Sequence, residues 1–135
     1  MFSQDLIRNL PALFAALLFA ILFLQSGFDK VFNYKGNLEW LTGHFEKSPL
    51  KGTVPMMLPV LTLMEVATGI LSAAAIVYFL IAGSLVLVFA AGALGAATLC
   101  ALFFGQRMAQ DYPGAGSLVP YFILALIMMY LSMPR

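Results

Sequence analysis

Apolar positions fall into four long blocks, separated by two polar stretches and one tight break. The first block runs from about Leu10 to Phe28, bounded by Arg8 and Asp29. The second and third share the segment from Thr53 to Arg107, whose only charge before that arginine is Glu65; a turn between Ile76 and Gly83 is expected to divide them. The fourth runs from about Ser117 to Met133 and stops at Pro134 and Arg135. At about 1.5 Å per residue, each block can cross the roughly 30 Å of hydrocarbon in a bilayer. The pattern predicts an all-α integral membrane protein, a four-transmembrane-helix bundle with spans of about 10–28, 55–77, 82–106 and 117–133 in a single domain covering 1–135. Arg8 ahead of an apolar run is also how a secretory signal begins. This run is long for a signal core and ends in Gln25-Ser26-Gly27-Phe28-Asp29-Lys30 without a small-x-small cleavage pattern, so we read it as a retained helix.

Four spans place both termini on one side of the membrane and the 29–53 and 105–116 loops on the other. Lys30, Lys35, Lys47, Lys51 and Arg107 fall on the loop side, against Arg8 and Arg135 on the terminal side, so the positive-inside rule makes the loop side cytoplasmic. The first loop carries its own pattern. Within Asn37–Lys47, Leu38, Leu41 and Phe45 recur at helical spacing beside Trp40, while Glu39, Thr42, Glu46 and Lys47 take the wetter side. That predicts a short interfacial helix with Asn37 as its N-cap and Trp40 at headgroup depth, ended by Ser48 and Pro49.

Composition agrees with the membrane class and removes other classes. The 135 residues are 62% hydrophobic and 10% charged, with a mean hydropathy of +0.96, against about 45–50% and about 25% in soluble domains. A net charge of +1 offers no basic face for nucleic acid. One histidine, His44, and one cysteine, Cys100, exclude a bis-histidine haem, a cysteine-ligated cluster and an internal disulfide. No phosphate loop, hydrolase serine motif or histidine-rich metal motif is present. The chain is not expected to be an autonomous enzyme or to carry a metal or cofactor of its own.

Glu65 is the position that demands an explanation. A carboxylate near the bilayer centre costs at least ~2.5 kcal/mol on the mildest insertion scale, so it needs a partner or a task. On the second span Thr62, Glu65, Gly69 and Ser72 share a face that should turn inward. Gln25 and Asp29 share a face of the first span, with Ser26 and Lys30 one position round, and Gln106 and Arg107 close the third span at the same depth. The expected buried polar site is therefore Glu65, Lys30, Gln25, Asp29, Arg107, Gln106 and Thr62, with Lys30 the preferred partner of Glu65 and Arg107 the second. Close helix approach is expected at Gly69, Gly92 and Gly95, in a third span rich in small residues that reads as the central packing helix. The fourth span, bulky except at Ala125, should face lipid or a partner protein.

Each of these residues has a plainer reading. Glu65 can be a structural clamp, Lys30 and Arg107 interface anchors, and Asp29 a solvated loop acid. His44 reads as an exposed residue of the interfacial helix, with a proton-transfer or quinone-contact role as the alternative, and Cys100 and the eight methionines read as packing.

Phe23-Leu24-Gln25-Ser26-Gly27-Phe28-Asp29-Lys30, the loop with its short helix, and Leu61-Thr62-Leu63-Met64-Glu65-Val66-Ala67-Thr68-Gly69 together resemble the DoxX family of small four-helix bacterial membrane proteins. Gly27, Lys30, Glu65 and Gly69 are the residues that match its pattern. The resemblance implies a multi-pass protein of the bacterial cytoplasmic membrane, associated with membrane redox chemistry and with quinone-reducing assemblies. The expectation is a small integral subunit of a respiratory or otherwise quinone-linked assembly, in contact with lipid, other membrane subunits and quinone. A proton or small-solute transporter or channel, and a purely structural accessory, stand as the alternatives.

Overall fold

The computed structural model describes residues 4–133; Pro134 and Arg135, placed after the fourth span, lie outside them. Six helices follow in order: α1 (Gln4–Phe32), α2 (Tyr34–His44), α3 (Val54–Ala82), α4 (Val86–Met108), α5 (Tyr112–Gly116) and α6 (Val119–Ser132). The described chain is an all-α bundle in which α1, α3, α4 and the α5–α6 segment are each long and apolar enough to cross a membrane.

Element ends differ from expectation where no breaker stands at the polar boundary. The first span continues through Asp29 and Lys30 to Phe32, with Lys30 in its last turn, where a cation complements the exposed carbonyls. α2 follows after Asn33 alone and starts three residues before Asn37. Asn37 is not an N-cap. It lies within α2, and its amide donates to the Asn33 carbonyl at 2.9 Å and to Asp29 Oδ2 at 3.3 Å, fastening the α1–α2 corner. The turn between the second and third spans falls at residues 83–85, because residues 76–82 contain nothing to stop α3. Gly83, at φ 71°, ends it in the left-handed conformation that suits glycine, its N–H donating to the Phe79 carbonyl at 2.8 Å. Ser84 Oγ then accepts from the Val86 N–H at 3.2 Å as α4 begins.

α1 packs along α3, α3 along α4 and α4 along α6, and a looser contact of α1 with α6 closes the ring. The core holds Ala12, Ala16, Phe19 and Phe23 of α1, Ala75 of α3, Val88, Ala91 and Leu99 of α4, and Ala125 and Met128 of α6. Phe19 and Phe23 meet edge to face, with ring centroids 5.2 Å apart. α1 is the most enclosed span, while the glycine-rich α4 meets α1, α3 and α6 in turn. α6 is the least enclosed. It turns Ala125, Met128 and Ser132 inward and leaves Ile123, Leu126, Ile127 and Tyr130 exposed.

Two reciprocal contacts set the α1–α3 crossing. A methyl group on Gly27 would stand 2.6 Å from Val66 Cγ2 and 3.0 Å from its backbone nitrogen, and one on Gly69 would stand 2.8 Å from the backbone nitrogen of Leu24. Neither backbone can retreat cheaply, so glycine is what lets these helices touch. Gly95 receives the Phe19 ring and Gly92 receives α6 in the same manner.

Candidate functional site

The close approach at Gly27 and Val66 brings the last turn of α1 over Glu65. Glu65 is 1% exposed, and the cation beside it is Lys30, whose side chain is 16% exposed. The ammonium donates to Glu65 Oε2 at 3.3 Å and to Ser26 Oγ at 2.9 Å, and it lies 3.1 Å from Oε1 without the alignment of a hydrogen bond. Both carboxylate oxygens thus face the one ammonium, and Oε1 meets no second donor among the described residues. Desolvating such a pair is costly, and removing one member leaves the other uncompensated, at about 3–5 kcal/mol.

The hydroxyls around this pair are occupied by their own helices. Thr62 donates to the Leu58 carbonyl, Thr68 to that of Met64, Ser72 to that of Thr68 and Thr98 to that of Leu94, at 2.7–2.8 Å. Thr68 and Thr98 also lie 3.2 Å apart, so either can turn its proton from its own helix to the other and link α3 to α4 one turn beyond Glu65. Thr62 is therefore on the inward face with Glu65 but spends its proton on α3.

The remaining expected members stand elsewhere. Gln25 and Asp29 are exposed, because the face they share is rotated about 100° from the one carrying Ser26 and Lys30. Asp29 serves Asn37 instead. Arg107 is exposed and its guanidinium sits 4.5 Å above the Tyr112 ring, where α4 bends into α5. Gln106 belongs to a second polar centre, built where the two long connections meet.

That centre is organised by His44, which is partly buried rather than exposed. Its ring stacks on Trp40 at 4.6 Å and meets Phe45 edge-on at 5.4 Å. Nε2 lies 2.8 Å from Gln106 Oε1 and 3.5 Å from Asp111 Oδ2. A carboxylate beside it requires Nε2 to carry the proton, so Nε2–H is the donor and the Gln106 carbonyl oxygen accepts. Asp111 is fixed in turn as the N-cap of α5, its Oδ1 accepting from the Gly114 N–H at 3.0 Å, after Gln110 turns the chain at a left-handed φ of 61°. Ser26, His44 and Asp111 are the contributors that the sequence pattern did not supply. Only Ser26, four residues before Lys30, had a local signal.

Cys100 is exposed on α4, not packed in the core. Comparison with known proteins returns no match: no family model, no curated protein and no solved structure.

Proposed function

We propose that this multi-pass membrane protein is a small integral subunit of a larger respiratory or otherwise quinone-linked assembly of the bacterial cytoplasmic membrane, with the Lys30–Glu65 pair as its working polar centre. The observation that carries this reading is the pair itself: a carboxylate 1% exposed inside the bundle, with a partly exposed ammonium 3.1 Å from Oε1 and 3.3 Å from Oε2. A buried carboxylate whose cation reaches the surface can exchange its proton through that cation, whereas a clamp alone is served as well by two apolar side chains of the same volume. Lys30, partly exposed at the end of α1, gives that carboxylate a link toward the loop end of the bundle. The neighbouring hydroxyls donate to their own helices, which favours a local proton-exchanging site within an assembly over a polar path for a transported solute. The bulky outer face of α6 supports contact with lipid or another membrane subunit. The resemblance of Gly27, Lys30, Glu65 and Gly69 to the DoxX pattern supplies the redox and quinone context.

Purification in mild detergent, followed by identification of co-purifying subunits and extractable quinone, tests the assembly. Substitution tests the centre. Glu65→Gln keeps size and hydrogen bonding but cannot ionise, so it should insert and assemble at near-normal levels while lowering quinone-linked turnover of the assembly. Glu65→Leu should lower assembly itself. Unchanged turnover in a fully assembled Glu65→Gln complex would return Glu65 to the role of a clamp and the chain to that of an accessory.

A further inference from the structure

A cavity of about 370 Å³ lies between α2, α3 and α4 at the loop end, and neither Lys30 nor Glu65 lines it. That volume is in the range of small-molecule sites, roughly 300–1,000 Å³. Leu41 and Phe45 close it from the α2 side, Leu61 and Met64 from α3, and Leu102 from α4. Gln106 is the one side chain with hydrogen-bonding capacity on a wall that is otherwise apolar. Met56, Val60 and Phe104, also on its wall, are exposed on the surface of the spans, so the cavity opens sideways toward hydrocarbon.

The chemistry of the occupant follows from how Gln106 is held. His44 engages its carbonyl oxygen, and among the described residues no acceptor meets its amide N–H groups. The polar end of the cavity therefore offers donors. A carboxylate, Asp111, approaches the same His44 nitrogen that engages Gln106, which disfavours an anionic group at that end. We propose that this cavity binds a membrane-derived amphiphile, its apolar chain lying against α3 and α4 and an uncharged carbonyl oxygen accepting from the Gln106 amide. His44 and Asp111 are positioning residues, fixing which end of that amide faces the ligand. An isoprenoid or alkyl quinone and the ester of a phospholipid both present this chemistry. The site stands independently of the subunit reading and does not involve Glu65.

Two photoactivatable probes test it on the full-length protein reconstituted in phosphatidylcholine vesicles: a phosphatidylcholine and an alkyl benzoquinone, each with a diazirine on its chain. After irradiation, peptides covering 50–64 and 101–106 should carry label from at least one probe, more strongly than the peptide covering 119–132, which samples the lipid-facing surface of α6. Ala101→Phe, which fills the cavity from a wall residue outside the core, should lower that label at least fivefold, and Gln106→Leu at least threefold. Label on 119–132 should not change, which also shows that each variant is folded and inserted. Quinone label alone identifies a quinone site and phospholipid label alone a lipid site; both support the cavity. Label on 50–64 and 101–106 that survives either substitution, or that never exceeds the α6 reference, overturns it. Absence of a co-purifying redox subunit would sink the subunit reading and leave this labelling untouched.

Discussion

The two polar centres of this bundle are opposites. At the α1–α3 crossing, glycines 27 and 69 press the helices together, Glu65 is sealed from solvent, and both its oxygens lie against one ammonium, that of Lys30. At the loop end, α2 stands off α3 and α4, a cavity remains open toward hydrocarbon, and what is left over is a pair of amide donors on Gln106. A sealed ion pair has room for a proton at most, whereas open donors above an apolar chamber have room for a molecule. The spacing between helices, set by which residues lack a side chain, thus decides which chemistry each polar group can perform.

The sharpest way to break this contrast is to remove the cation from the sealed centre. Lys30→Met leaves Glu65 buried without a counter-charge and should cost about 3–5 kcal/mol. The double variant Lys30→Met/Glu65→Leu should recover most of that loss, because apolar replacement of a whole buried pair is often neutral or stabilising. Thermal loss of helical signal in detergent measures both. Equal stability of wild type and the single variant would mean that the pair is not sealed in solution.

A smaller effect is expected from the spacing itself. Gly69→Ala puts a methyl group 2.8 Å from the Leu24 backbone nitrogen, so α1 and α3 must separate, at about 1–3 kcal/mol. Separation would also draw Lys30 away from Glu65, so this variant should lose quinone-linked turnover along with stability. Gly43→Ala, where a methyl group meets nothing within 4 Å, is the matched control and should change neither. Equal behaviour of the two variants would show that glycine at 69 does not set the crossing.

The four apolar helices are legible in the sequence because lipid imposes a length and a composition, and Glu65 is legible because it violates that composition. The partners are harder to read, since adjacent residues on a helix point about 100° apart. Gln25 and Asp29 pair plausibly with each other, yet Ala12, Ala16, Phe19, Phe23, Gly27 and Lys30 recur at spacings of four or three and mark the face that α1 buries. The same logic separates Gln106 from Arg107: Gly95, Leu99, Leu102 and Gln106 step along one inward face of α4, and Arg107 lies one position round. The His44 contacts with Gln106 and Asp111 join segments more than 60 residues apart, and no local period announces them.

Those long-range contacts lead to the smallest effect. His44→Phe preserves a ring for Trp40 to stack on but removes the bond to Gln106 and the approach to Asp111. A net loss of about 0.5–1.5 kcal/mol is expected, the worth of one intramolecular hydrogen bond. Global unfolding should barely register it, since the core of α1, α3, α4 and α6 does not include His44. The α2 segment should register it clearly, because about 1 kcal/mol raises the population of a detached α2 roughly fivefold. Lys47 and Lys51 are exposed in the connection from α2 to α3, so tryptic cleavage there reports that detachment. Cleavage several times faster in His44→Phe, at an unchanged thermal midpoint, would establish that His44 fastens the roof of the open centre while leaving the sealed one alone. Unchanged cleavage would show that the apolar contacts of Leu41 and Phe45 hold α2 in place by themselves, and a lowered midpoint would show that the two centres are not independent.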